Sequence, residues 1–166
     1  MSPRPAPAQA LDHAWIAARL PHAGRMCLLD AVLEWSPAHV LCRADNHRAP
    51  DHPLRQFGRL GAACGVEYAA QAIAVHAALL AGDAGADDAP AQPRSGMLVG
   101  ARRLTLHVER LDDVGAPLLV RAEPVALGED MLLYDFSVRA GTRMLLEGRA
   151  SILLGPLPEP SQEPRA

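Results

Sequence analysis

The chain has 166 residues, of which 49% are hydrophobic and 21% charged, with a formal net charge of -3. That length and composition suit one globular domain with its own core and exclude a disordered chain. The acidic balance argues against duplex nucleic acid, whose ligands carry a basic excess.

Residues 1–10 and 155–166 are Pro-rich and polar and are expected to form loose tails around a single domain over residues 11–154. Met1 to Gln9 lacks the apolar stretch of a signal peptide. Asp12 is placed to cap a short helix that runs to about Leu20, where Pro21 stops it. Arg25 to Trp35 is an apolar run that reads as a strand, and Ala38 to Asp45 reads as a second, with Ser36-Pro37 as the turn between them. Asn46 to Arg59 holds two His, two Pro and three Arg without a clear period, a loop of functional length. Gly61 to Ala81 is Ala-rich, free of Pro, closed by Gly82, and apolar on nearly all sides, as a helix surrounded by protein should be. Gly82 to Arg94 reads as a loop. Four strands are expected over Met97 to Val108, Pro117 to Val125, Met131 to Arg139 and Arg143 to Leu154, punctuated by Gly115, Gly128 and Gly141. One apolar helix among six strands predicts an antiparallel sheet wrapped round that helix, an α+β plan.

Cys27, Cys42 and Cys64 lie far apart with no C-x-x-C pair, so reduced, mostly buried thiols are expected and no zinc or redox site. The seven His form no tight cluster, and no metal is expected. No apolar run approaches the roughly 20 residues of a membrane helix, so no membrane insertion is expected and the cytoplasm is the expected location.

Two segments carry a resemblance. Leu20-Pro-His-Ala-Gly-Arg-Met-Cys-Leu-Leu-Asp30 is similar to the opening of the FabZ-type 3-hydroxyacyl-carrier-protein dehydratases, and Gly65-Val-Glu-Tyr-Ala-Ala-Gln71 to the part of their central helix that bears an acid and, four residues on, a Gln. The order of elements matches over residues 11–154. The resemblance is closer still to the ApeP-like branch, encoded with aryl-polyene pathways. It implies a hotdog fold and a homodimer or a heterodimer with another hotdog subunit. It implies no cofactor of the protein's own, the acyl chain lying at the interface with its thioester on the phosphopantetheine of acyl carrier protein, or as acyl-CoA. It also implies dehydration by one His and one carboxyl group. The family's Gly-His-Phe-Pro loop is absent here; its nearest equivalent is Asp51-His52-Pro53-Leu54, with His52 fifteen positions before Glu67.

Removing water from a 3-hydroxyacyl thioester needs a base at C2 and an acid at the leaving hydroxyl. His suits the first role, and a carboxyl in an apolar site, which retains its proton, suits the second. Glu67 is the only charged side chain between Gly61 and Ala81, and Gln71 stands one turn away. A Glu on such a helix needs a partner or a task. His52, in the loop that feeds the helix, is the candidate base or an exposed loop residue. His22 is an alternative base or a corner tie, and His47 a third candidate. His76 falls on the opposite helix face and reads as packed. Gly58, Gly61 and Gly65 near the helix start either let an acyl group approach free amides or let the helix pack closely. Arg55 and Arg59, with Arg102 and Arg103, are candidates to meet an acidic carrier protein or its phosphate.

Three functions follow: a dehydratase, a non-catalytic hotdog partner of an active sister subunit, and an acyl thioesterase.

Overall fold

The computed structural model describes residues 11–20, 24–82 and 95–155. Asp12 does cap α1 (His13–Ala17), its Oδ1 accepting from the Trp15 N–H at 3.0 Å, but the helix ends three residues earlier than expected. The apolar run from Arg25 also divides. Gly24–Met26 forms a 3-10 turn, and β1 begins only at Ala31 and runs to Ser36. Cys27, Leu28 and Leu29 are buried in the core, and the Leu28 N–H is taken by the Gln71 side chain. The run is apolar because it lies under the long helix, a demand that sequence periodicity does not separate from strand pairing.

The remaining strands fall close to expectation: β2 (His39–Ala44), β3 (Ser95–Leu106), β4 (Leu118–Leu127), β5 (Met131–Ala140) and β6 (Arg143–Gly155). They form one antiparallel sheet in the order β1-β2-β4-β5-β6-β3. Along β2, β4 and β5 alternate residues are buried, the period-two signature of a sheet with one covered face. Val40, Cys42, Val120, Ala122, Tyr134 and Val138 point to that face.

The cover is α2 (Gly65–Leu80), entered through a 3-10 turn at Ala62–Cys64. Tyr68, Ala69, Ala72, Ile73, Val75 and Leu79 are buried in the shared core. Its span Ala62–Leu80, with mean hydropathy 1.3, is long and apolar enough to cross a membrane, and half of that window is buried inside the protein. A core helix under a sheet has the same composition. The sheet wrapped round one central helix is the hotdog arrangement.

Gly65 sets how closely α2 meets the sheet. A Cβ there would lie 2.5 and 2.8 Å from the two Cδ atoms of Leu146, itself fully buried on β6. We therefore expect Gly65→Val to destabilise the protein by about 1–3 kcal/mol, the cost of overpacking a filled core. Thermal denaturation would check it, and an unchanged midpoint would show that Leu146 has room to turn away.

The two sheet edges differ. β1 is short, and the N-terminal segment lies against it, with Asp12 bridging Ala31 and the Val32 N–H bonded to the Leu11 carbonyl. β3 is twelve residues long, and its outer edge has no partner strand among the described residues. Met97, Leu98, Val99, Leu104 and Leu106 on it are all exposed. Long open edges with apolar side chains are sites of strand pairing with another chain.

Candidate active site

Glu67 sits in the first turn of α2, half-buried. The Gln71 amide, one turn on, donates to Glu67 Oε1 at 3.4 Å. Gln71 itself is fully buried and otherwise committed. Its Oε1 accepts from the Leu28 N–H at 2.9 Å, and its Nε2 donates to the Met26 carbonyl at 2.7 Å. Gln71 therefore ties the Leu-Pro-His segment to the helix and orients the carboxyl. In this arrangement its polar atoms are spent on the protein. His22 lies outside the described residues.

His52 is 4% exposed, a buried residue in place of the loop surface that its sequence context allowed. The Leu54 N–H donates to its Nδ1 at 3.1 Å. A backbone amide can only donate, so Nδ1 holds a lone pair and the proton is on Nε2. Nε2 then donates to the Tyr68 hydroxyl at 2.9 Å, and that hydroxyl donates to Asn46 Oδ1 at 2.6 Å. The chain Leu54–His52–Tyr68–Asn46 locks the loop to α2 and uses both ring nitrogens. For His52 to take a proton from substrate, the Leu54 amide must first let go. Burial, with Arg55 and His47 nearby, lowers its pKa from the ordinary value.

His47 is fully buried and donates Nε2–H to the Val114 carbonyl at 2.9 Å, while its Nδ1 has no hydrogen-bond partner among the described residues. His76 is packed, as its helix face suggested. It accepts from the Tyr134 hydroxyl at 2.8 Å and donates to the Ser36 carbonyl at 2.7 Å, and burial lowers its pKa too. Both His52 and His76 are thus held neutral in the fold. Their folded pKa values lie below the unfolded value of about 6.5, so the stability they add is complete above that pH. It is lost as pH falls from there through the folded values. The melting midpoint should fall steadily below about pH 6.5. A profile flat down to about pH 5 would overturn the neutral assignment.

The loop is built around Asp112, a half-buried residue whose charged side chain is only 4% exposed. Its carboxylate accepts from the Leu60 N–H at 3.0 Å and pairs with Arg110 and with Arg55 at 3.4 Å. The Arg110 hydrogen bonds hold its pKa well below the usual carboxylate range. Arg55 also donates to the carbonyls of Ala49 at 3.0 Å and Gly58 at 2.8 Å. It is an organiser of the loop in this structure, with little left for an anion. Arg59 is exposed, and its guanidinium donates to the Glu109 carbonyl at 3.4 Å. Arg102 and Arg103 lie exposed on β3, Arg103 in the left-handed region (φ +51°) at a bulge.

The three glycines part company. Gly58 is in a tight turn with φ +74°, Gly61 precedes the 3-10 turn with open space beside it, and Gly65 abuts Leu146. The N–H of Gly65 turns back onto the carbonyls of Ala62 and Ala63. Among the described residues no group of three or more His, Cys, Asp or Glu is placed to hold a metal. Tyr68, Asn46 and Asp112 were not singled out by sequence. The one available signal was Tyr68 beside Glu67, on a helix that is otherwise small and aliphatic save for Gln71 and His76.

A sheet wrapped round one central helix, with a carboxyl in that helix's first turn, defines a hotdog protein. The family model described as ApeP dehydratase, in the ApeP-like family, matches residues 14–161. The chain belongs to that dehydratase family. Among solved structures it is similar to the dehydratase heterocomplex ApeI:P from Xenorhabdus doucetiae, with 26% identity, a TM-score of 0.71, and coverage of 86% of this chain and 91% of the other. AziG from S. sahachiroi (16% identity, TM-score 0.53, 76% and 90% covered) shares the fold. So does the thioesterase SAV0944 from Staphylococcus aureus (13%, 0.52, 75% and 92%). A search of curated protein sequences finds no match.

Proposed function

We propose that this chain is a dehydratase subunit that removes water from 3-hydroxyacyl thioesters on acyl carrier protein, in a fatty-acid-like or aryl-polyene pathway. The observation that carries the reading is Glu67, a carboxyl at the start of the central helix, oriented by Gln71 in a chain of the ApeP-like dehydratase family. The Glu67 carboxyl protonates the departing hydroxyl. The base is a histidine: His52 once released from Leu54, His22, or one brought by a partner. The protein works as a pair of hotdog subunits joined along the open edge of β3. Its likeness to a heterocomplex of dehydratase subunits supports a hotdog partner.

The test is incubation of the purified chain with a 3-hydroxyacyl carrier protein, read by intact mass. Loss of one water supports the assignment. Release of free thiol without an enoyl product would replace it with a thioesterase.

A second reading has its own observation. Both nitrogens of His52 are engaged inside the chain, which suits a non-catalytic partner that shapes the site of an active sister subunit. An inactive chain that restores or raises the activity of a second hotdog protein would establish that reading.

A further inference from the structure

We propose that Ser36, His39 and Glu34 form a second reactive centre, an acyl-transfer triad on the β1–β2 hairpin that cleaves small, activated acyl esters and thioesters. The inference does not depend on the reading of Glu67. Strand register brings the three residues together. Glu34 and Ser36 stand two apart on β1 and so share a face, and His39 of β2 is the partner of Ser36 across the turn. A bulge between Val32 and Glu34 sets which β1 side chains take that face. His39 alternates with the buried Val40, Cys42 and Ala44, so the cluster lies on the sheet face turned away from α2 and Glu67.

The hydrogen bonds define the chemistry. His39 Nε2 lies 2.5 Å from Glu34 Oε1, and His39 Nδ1 lies 3.0 Å from Ser36 Oγ. An ionised carboxylate can only accept, so Nε2 carries a proton and donates it. In the neutral ring Nδ1 then holds a lone pair, and the Ser36 hydroxyl donates to it. The Ala38 N–H donates to Oγ at 3.1 Å and fixes the direction of the hydroxyl. That contact alone closes the turn; the imidazole and the carboxylate go beyond what the turn requires. The backbone beneath is firm, because the Ser36 carbonyl accepts from Nε2 of the fully buried His76 at 2.7 Å. Nucleophile, base and orienting carboxylate thus stand in the order that activates a serine. The His39 and Glu34 side chains are 16% and 61% exposed, so the centre opens to solvent and favours small acyl groups that already carry a good leaving group. In the reaction the Ser36 Oγ bonds to the acyl carbon and the carbon–sulfur or carbon–oxygen bond breaks. The hydroxyl proton passes to His39 Nδ1 and from there to the leaving group. Water, giving a proton to the same nitrogen, then adds to the acyl-serine, releases the carboxylic acid and restores the hydroxyl.

A fluorophosphonate, which bonds to activated serines with loss of fluoride, tests this on the full chain, with the adduct placed by peptide mapping and followed by intact mass. The wild type should gain one adduct, on Ser36, and p-nitrophenyl acetate should acetylate the same residue. Ser36→Ala should take up neither. His39→Gln should slow labelling by about 10²-fold or more, the loss of a positioned base, and Glu34→Gln should slow it by less, since it removes only the orienting group. Melting curves of each variant separate lost reactivity from lost structure. A wild-type chain that labels no faster than the heat-denatured chain, or labels at another residue, overturns the proposal whatever the variants do. So does unchanged labelling of Ser36 in His39→Gln, or, if that variant does not fold, in Glu34→Gln.

Discussion

Glu67→Gln should lower the rate of dehydration by about 10²–10⁴-fold, the usual contribution of a positioned acid or base, while the protein folds as before. Gln has nearly the shape of Glu and can still accept from the Gln71 amide through its carbonyl oxygen, so the link between the two turns of α2 survives. It cannot give up a proton to a departing hydroxyl. The loss should therefore fall on the turnover number and leave KM little changed, because an interaction made only in the transition state has been removed. Intact-mass kinetics on 3-hydroxyacyl carrier protein, wild type beside variant, would read it. If Glu67→Gln retained full activity, the carboxyl would have no chemical part and the reading would lose the observation that carries it. A partial loss traced wholly to KM would make Glu67 a binding group. Gln71→Leu separates orientation from chemistry: it frees the Leu28 amide and the Met26 carbonyl and removes the Gln71 contact to the Glu67 carboxyl. It should cost stability as well as rate, whereas Glu67→Gln should cost rate alone.

The fold was legible where one demand governs the residues. β5 alternates because one face is covered and the other is not, and α2 is apolar all round because protein surrounds it, so both were readable. Cys27 to Leu29 were misread because burial under a helix and burial in a sheet select the same side chains. α1 was overextended because Asp12 marks a beginning while nothing before Pro21 marks an end. The site was legible in parts. Glu67 stood out as the single charge on an apolar helix, and Gln71 as its neighbour one turn away. His52 was visible as a residue but not as a geometry. Its partners, Tyr68 and Asn46, lie sixteen residues after it and six before it, and no short-range pattern joins the three. The pairing of Asp112 with Arg55 and Leu60 across more than fifty positions is equally silent in sequence.

His52→Ala should destabilise the protein by about 2–4 kcal/mol, because it removes a buried ring and leaves the Leu54 N–H without its acceptor. For a chain of this size that corresponds to a fall in Tm on the order of 10 °C. Tyr68→Phe should cost about 1–3 kcal/mol, since it leaves the His52 Nε2–H and Asn46 Oδ1 unpaired. The two residues belong to one chain of hydrogen bonds, so the double variant should cost less than the two separate losses added together. Additive losses would show that the hydroxyl and the ring are not energetically linked. The same variants decide what His52 does. As a clamp, it affects activity only through the folded fraction, and well below the melting range both single variants should turn over at nearly the wild-type rate. As the base, it should take turnover down by about 10²–10⁴-fold at that same temperature, with Tyr68→Phe largely spared. The geometry favours the clamp while the Leu54 amide holds Nδ1. The base role requires that contact to break when substrate or a partner arrives, which protection of the Leu54 amide from hydrogen exchange, measured with and without a bound acyl carrier protein, would reveal.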